Sequence, residues 1–289
     1  MISILLQHIE NAVLRKDISK LQKLVSYIID IVPIAKVDLT KGTELQRIRN
    51  NYKGEIFFSE NDISYRKDTW NISEFGRCNF PNSSKFYCSV SSDYIKEIRV
   101  VNVLETNKFF RDNFSIHKKQ IFTSGQWICK EPLTVGIFPF NRNAKNINSE
   151  IKSHSLEYDH ILKSFSKKDR ENAKIVLPFI SNYLAKKHIF SHWDYMISAY
   201  FSELILEKYN LDGILYPSVR ADYRTYNLAI QPDSTNKLFF QMAAMFELIV
   251  DGKNAYIDNL ADGEIGQNGK IFWTQLERSS EAEIKRFLK

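Results

Sequence analysis

Two short apolar runs, residues 211–216 and 226–230, bracket Pro217-Ser218 and the polar Asp222-Tyr223-Arg224. Each run has the length and composition of a buried strand. A proline has no backbone N–H to give to a ladder, so Pro217 ends the first strand. The polar residues at that break are thereby expected at the edge of a sheet, where small ligands bind. A second segment runs from Phe75-Gly76-Arg77-Cys78-Asn79 to Phe86-Tyr87-Cys88-Ser89, with Pro81-Asn82-Ser83-Ser84 as a turn between them. It puts a loop arginine ahead of a strand that presents a tyrosine. Together the segments predict a small-molecule site containing an arginine, a tyrosine and a serine.

The chain is long enough, at 289 residues, for one large domain or one domain with an appendage. Apolar residues at 44% and charged residues at 26% are ordinary for a globular protein, and nothing suggests a disordered or fibrous chain. The net charge of +6 is dispersed among acids, so it accommodates an anionic ligand without indicating nucleic acid. Cys78, Cys88 and Cys129 are an odd, irregularly spaced set. That pattern suits buried free thiols in a reducing compartment and neither a disulfide framework nor a zinc site. The apolar start is interrupted by Gln7, His8 and Glu10 and lacks a basic leader, so a soluble cytoplasmic protein is expected, with no membrane partner.

Periodicity predicts helices over residues 1–35, with Asp17 as an N-cap and Pro33 as the stop. Strands are expected at 44–49, 55–58, 85–90, 126–129 and 133–138. Further helices are expected at 100–110, at 168–184 with Pro178 as a start or bend, and at 192–209 with Asn210 as the stop. Asp251-Gly252 and Asp262-Gly263 read as turns of a hairpin-like tail. The resulting division is an N-terminal helical region (1–40), a central domain (41–250) and a C-terminal extension (251–289).

Arg77 can offer a planar fork to a diphosphate, and Tyr87 a face to a flat heterocycle. Taken alone, the pair reads as a surface arginine beside an ordinary strand tyrosine. Glu105 stands in the apolar stretch Val103-Leu104-Glu105-Thr106, where an inward carboxylate would be informative; Glu97 is its rival. Ser218 has no nucleophile-elbow pattern and no Ser/His/Asp order around it, so hydrogen bonding to a ligand is the expected role. His188 and His192 are four apart, but the third metal ligand is missing, and capping or packing is expected of them. No metal is expected.

These stretches resemble the RES domain found in the toxins of RES–Xre toxin–antitoxin systems. The matching segments are Leu45-Gln46-Arg47-Ile48-Arg49, Gly76-Arg77-Cys78-Asn79 with Phe86-Tyr87, Leu104-Glu105-Thr106, Gln126-Trp127 with Lys130-Glu131-Pro132-Leu133, and residues 213–233. The resemblance implies an α+β, ADP-ribosyltransferase-like split β-sheet core with flanking helices and an N-terminal helical appendage. It also implies NAD as substrate, with Glu105, Arg77, Tyr87 and Ser218 as the catalytic residues, Glu105 being the carboxylate, and Arg47, Arg77, Tyr87 and Ser218 as the residues that hold NAD. An antitoxin or immunity protein is the implied partner, alongside a possible homo-oligomer, with no direct nucleic-acid contact. Cleavage of the nicotinamide–ribose bond passes through an oxocarbenium-like state that a carboxylate stabilises. The acceptor is left open between water, phosphate and a macromolecule, as is the alternative of a non-catalytic binding module.

Overall fold

Helices dominate residues 142–209 and strands residues 213–275, the segregated order expected of an α+β fold. A computed structural model describes residues 2–91, 98–107, 118–251 and 254–288. In chain order these form α1 (Ile2–Leu14), α2 (Ile18–Asp30), β1 (Lys36–Leu39), β2 (Glu44–Asn50), α3 (Glu60–Ile63), β3 (Phe86–Val90) and α4 (Ile98–Thr106). Next come β4 (Lys118–Cys129), β5 (Leu133–Ile137), α5 (Arg142–Ile147), α6 (Ser149–Ile161), α7 (Lys167–Leu184), α8 (Met196–Tyr209), β6 (Gly213–Pro217) and β7 (Tyr226–Ile230). The chain closes with β8 (Leu238–Asp251), β9 (Asn254–Ile265), β10 (Ile271–Gln275) and α9 (Glu281–Leu288). Among the described residues no helix is long and apolar enough to cross a membrane.

Two compact units are woven from this order. Unit 1 comprises Met1–Thr40, Arg66–Tyr87 and Pro132–Thr235; unit 2 comprises Lys41–Tyr65, Cys88–Glu131 and Asn236–Lys289. The sequence-based boundary at residue 40 coincides with the passage from Thr40 of unit 1 to Lys41 of unit 2, but residues 1–40 belong with 66–87 and 132–235, residues 41–250 are shared between the two units, and residue 250 lies inside β8.

Unit 1 carries the strands β1, β5, β6 and β7 side by side. β1 runs antiparallel to β5, β5 parallel to β6, and β6 antiparallel to β7, with Gly213 opposite Ile230 and Pro217 opposite Tyr226. A parallel step needs a long crossover, and α5 to α8 provide it. Every residue of β6 and β7 is buried, which explains their continuous apolar character. Gly213 is required by close approach: a Cβ there would lie 2.7 Å from the Ala229 carbonyl oxygen. The first helices are part of the same core. Leu21, Val25 and Ile28 are fully buried, Lys208 Nζ pairs with Asp30 at 2.6 Å, and Tyr183 donates to Glu10 at 2.8 Å. Asp17 caps α2 by accepting from Lys20 N at 3.0 Å, as expected. Pro178 lies inside α7, whose N-cap is Ser166, and α8 stops at Asn210 in the left-handed conformation, φ 47°.

Unit 2 carries an antiparallel sheet in the order β3, β2, β4, β8, β9, β10, to which β3 contributes from Cys88 onward. Its two faces are read from register. Ile48, Phe122 and Phe246 share one face and pack with Val103 of α4. Arg47 and Gly125 share the other, where a Cβ on Gly125 would meet Ile63 of α3. Three sequence expectations change here. Residues 55–58 form no strand; the carbonyls of Phe57 and Phe58 instead accept from Trp273 Nε1 and Ile271 N, both at 2.8 Å. Asp262-Gly263 is no turn but lies within β9, where Gly263 makes room for Trp273 and Ala243. The fourteen-residue β8 is a strand that periodicity had not assigned.

Substituting Gly213→Ala is expected to destabilise the protein by about 1–3 kcal/mol, the scale of overpacking against an immovable backbone. Gly136→Ala meets only side-chain methyl groups, at 3.2 and 3.3 Å, and should lose less. Paired urea unfolding curves measure both.

A candidate functional site around Arg77

The loop carrying Arg77 is a tight turn closed on itself. Gly76 N donates to Asn79 O at 3.0 Å, and the Tyr87 hydroxyl fastens it from β3 by accepting from Cys78 N at 2.9 Å and donating to Asn79 Oδ1 at 2.8 Å. Gly76 is needed because a Cβ would sit 2.1 Å from Asn79 Oδ1. Ahead of the turn, Phe75 is buried against the rings of His192, Trp193, Tyr200 and Phe80, with centroids 5.7 to 6.3 Å away. His192 serves packing, stacked on Phe75, and its Nδ1 accepts from Phe75 N at 3.4 Å.

From this anchored turn the Arg77 guanidinium reaches the C-terminus of α7. Nη1 donates to Leu184 O at 2.6 Å and Tyr183 O at 3.4 Å, and Nη2 donates to Lys186 O at 3.3 Å. The last carbonyls of a helix have no intrahelical partner and carry the negative end of its dipole, so a cation here is doubly favoured. Two rings flank the same group: the guanidinium carbon lies 5.0 Å from the Tyr195 ring and 5.9 Å from the Tyr216 ring. Lys186 continues the network, pairing through Nζ with Asp194 at 2.5 Å, while Asp194 accepts from Phe190 N and Ser191 N.

Tyr216 belongs to β6, two residues before Ser218. Ser218 is fully buried; its N–H donates to Thr225 O at 2.8 Å and its Oγ accepts from Ala221 N at 3.3 Å. The hydroxyl thus shapes the β6–β7 turn, which also holds Asp222 and Tyr223 at positive φ. Arg77, Tyr87 and Ser218 all lie in unit 1, and the Arg77 and Tyr216 contact joins the two motif segments.

Charge states follow from burial. Burial pushes the Cys78 thiol up to about 12, so it stays protonated and is no nucleophile at neutral pH. Burial likewise raises the Tyr87 phenol well above its ordinary value and keeps it a neutral hydroxyl. Burial alone would raise Asp194; the Lys186 ammonium and the N–H groups of Ser191 and Phe190 outweigh it and hold the carboxyl below its usual range.

The remaining candidates fall in unit 2. Arg47 lies on the β2 face covered by α3, donating from Nε to Ile63 O at 3.1 Å. Glu105 rides on α4, which packs on the opposite face through Val103 and Leu104. Adjacent strand positions point to opposite faces, so Arg47 and Ile48 part company, and Arg47 and Glu105 do not meet across the unit-2 sheet. Glu97 lies outside the described residues. Sequence reasoning missed Asn79, Lys186, Asp194, Tyr195 and Tyr216. Only Asp194 carried a local signal, since Ser191-x-x-Asp194 is a capping box.

No protein-family model matches the chain, and no curated protein does. Among solved structures it is similar to the crystal structure of the M. tuberculosis MbcT–MbcA toxin–antitoxin complex. That likeness has 9% sequence identity over 91% of this chain and 96% of that chain, with a TM-score of 0.32.

Tyr87→Phe removes the hydroxyl that satisfies Cys78 N and Asn79, and should lower unfolding stability by about 1–3 kcal/mol. Differential scanning calorimetry showing no loss would deny the tyrosine its fastening role. Asp194, with its depressed carboxyl, contributes stability that is present above the ordinary carboxylate range and lost as pH falls through the folded-state value. Hydrogen-exchange protection of residues 186–195 should therefore fall on acidification, and Asp194→Asn should abolish that pH dependence.

Proposed function

We propose that the protein is an NAD-consuming enzyme that cleaves the nicotinamide–ribose bond, acts as a growth-inhibiting or defence toxin, and is held in check by an antitoxin or immunity protein. The motif resemblance suggests this reading. The observation that carries it is the approach of the Arg77 guanidinium to Tyr216, two residues from Ser218, which brings the two distant motif segments together. Nicotinamide leaves as a neutral ring from a cationic precursor, so the reaction needs no general acid. It needs a carboxylate to stabilise the ribosyl cation and polar groups to hold the rest of the dinucleotide. Glu105 is assigned the first role; Arg77, Tyr87 and Ser218 are assigned the second. Arg47, which the motif resemblance assigns to the diphosphate together with Arg77, keeps that proposed role on the sheet face opposite α4.

A second reading, a non-catalytic binding module on the same fold, is favoured by one specific fact. Both Nη atoms of Arg77 already donate to carbonyls of the α7 terminus. On that reading the arginine is a fixed part of the scaffold and diphosphate has no claim on it.

Nicotinamide release from NAD by the purified protein separates the two. Glu105→Gln keeps the shape of the side chain and removes its charge, so turnover should fall by about two to three orders of magnitude. NAD affinity should change little, because the charge matters in the transition state. Glu97→Gln, made in parallel, should stay near wild type. If the wild type releases no nicotinamide, or if both variants keep full activity, the enzyme reading fails.

A further inference from the structure

On the unit-2 sheet a cavity of about 150 Å³ is lined by Gln46, Arg99, Ser124, Gln126, Met242 and Ala244. Register explains why it exists. Gln46, Gln126 and Met242 lie abreast on β2, β4 and β8, and Ser124 and Ala244 lie abreast two positions on, all on the α4 face. α4 covers that face over Ile48, Phe122 and Phe246. Beyond them the sheet surface turns polar, and Arg99 of the first turn of α4 stands at its margin.

The polar groups here are supplied out of proportion to their partners. Ser124 is 3% exposed, yet its hydroxyl makes no hydrogen bond to any described residue. The Gln126 amide likewise has no described partner. Gln46 Oε1 accepts from Asn102 Nδ2 at 3.3 Å, which leaves the Gln46 amide N–H groups for the cavity. Asn102 is itself set by Ser89 at 2.5 Å, so the amide orientation is held from behind. Arg99 is steadied by Asn259 Oδ1 at 2.7 Å and stands 5.4 Å over the Phe246 ring. The Ser124 hydroxyl and the Gln126 amide line the cavity and use none of their hydrogen-bonding capacity on the described residues, which leaves it for a ligand or for water.

We propose that this cavity is a binding site for a small organic carboxylate. Gln46 and Ser124 present N–H and O–H donors, Arg99 adds positive charge, and an anionic head with two acceptor oxygens matches that set. Met242 and Ala244 supply an apolar wall for a short aliphatic stem. Volume limits the occupant, since a cavity of this size holds a molecule about as large as benzene. The site uses none of the residues assigned to NAD, so it stands or falls independently of that reaction.

Butyrate and its neutral isostere butyramide are the probes, titrated into ¹⁵N-labelled full-length protein and followed by amide chemical shifts. Saturable shifts confined to β2, β4, β8 and α4 are expected with butyrate, and binding of butyramide should be at least about tenfold weaker. Ser124→Ala should weaken butyrate by roughly fivefold and Arg99→Gln by roughly tenfold, the range of one neutral and one charged hydrogen bond. Gln126→Leu gives an independent check on an outer position should Arg99→Gln disturb packing on Phe246. Equal binding of the two probes would overturn the carboxylate assignment. Shifts that never saturate, or that persist unchanged in the variants, would overturn the site. Nicotinamide release measured on Ser124→Ala should be unchanged.

Discussion

Unit 1 depends on one cation at one helix end. Arg77 donates to the Leu184 carbonyl at the end of α7 and to the Lys186 carbonyl just beyond it, and in doing so it fixes the position of the segment that leads to α8. That segment in turn carries Lys186, which pairs with Asp194, and Tyr195, whose ring lies beside the Arg77 guanidinium. A lysine could supply the charge and not the geometry, because a point charge cannot address several carbonyls from a planar fork. The arginine is itself held in place by the Gly76–Asn79 turn and the Tyr87 hydroxyl behind it. Local turn chemistry, a helix dipole and an aromatic pair therefore converge on a single side chain.

Buried charge elsewhere in the unit follows the same logic of satisfaction. Lys85 is almost wholly buried, and it pairs with Glu203 at 2.9 Å, where Ser83 also donates. Such a pair contributes little net stability against apolar replacements, but losing one partner leaves an uncompensated charge. It links the start of β3 to α8, so the loop before β3 has little freedom to slip in register. Among the described residues the Ser202 hydroxyl is left buried without a hydrogen bond, although it lies beside the Cys78 thiol.

What the sequence disclosed depended on how local the signal was. The β6 and β7 strands, the Asp17 cap and the stop at Asn210 are each decided within a few residues, and each was legible. Residues 55–58 looked like a strand because they are apolar and aromatic, yet their carbonyls serve β10 and its tryptophan far along the chain. β8 went unassigned because its burial alternates only in part before a bulge and then runs continuously. The site shows the same limit. Arg77 and Ser218 could be singled out by type and position, while Tyr195, Tyr216 and Lys186 matter only through who stands next to them. The parting of Arg47 from Glu105 could not be foreseen either, because alternation along β2 says that neighbours diverge and not which helix covers which face.

Neither unit is an uninterrupted stretch of chain: each is assembled from three segments. The order of synthesis then acquires meaning. The helices α1 and α2 emerge early, but the parallel pairing of β5 with β6 waits until residues 213–215 have been made. Long-range closure of this kind is slow, because loop entropy must be overcome before the contacts form. The apolar faces of α1 and α2 likewise wait for α7 and α8, on which they pack, so the emerging chain is exposed to aggregation or chaperone capture. The interleaving also means that no single proteolytic cut or truncation separates one unit intact from the other.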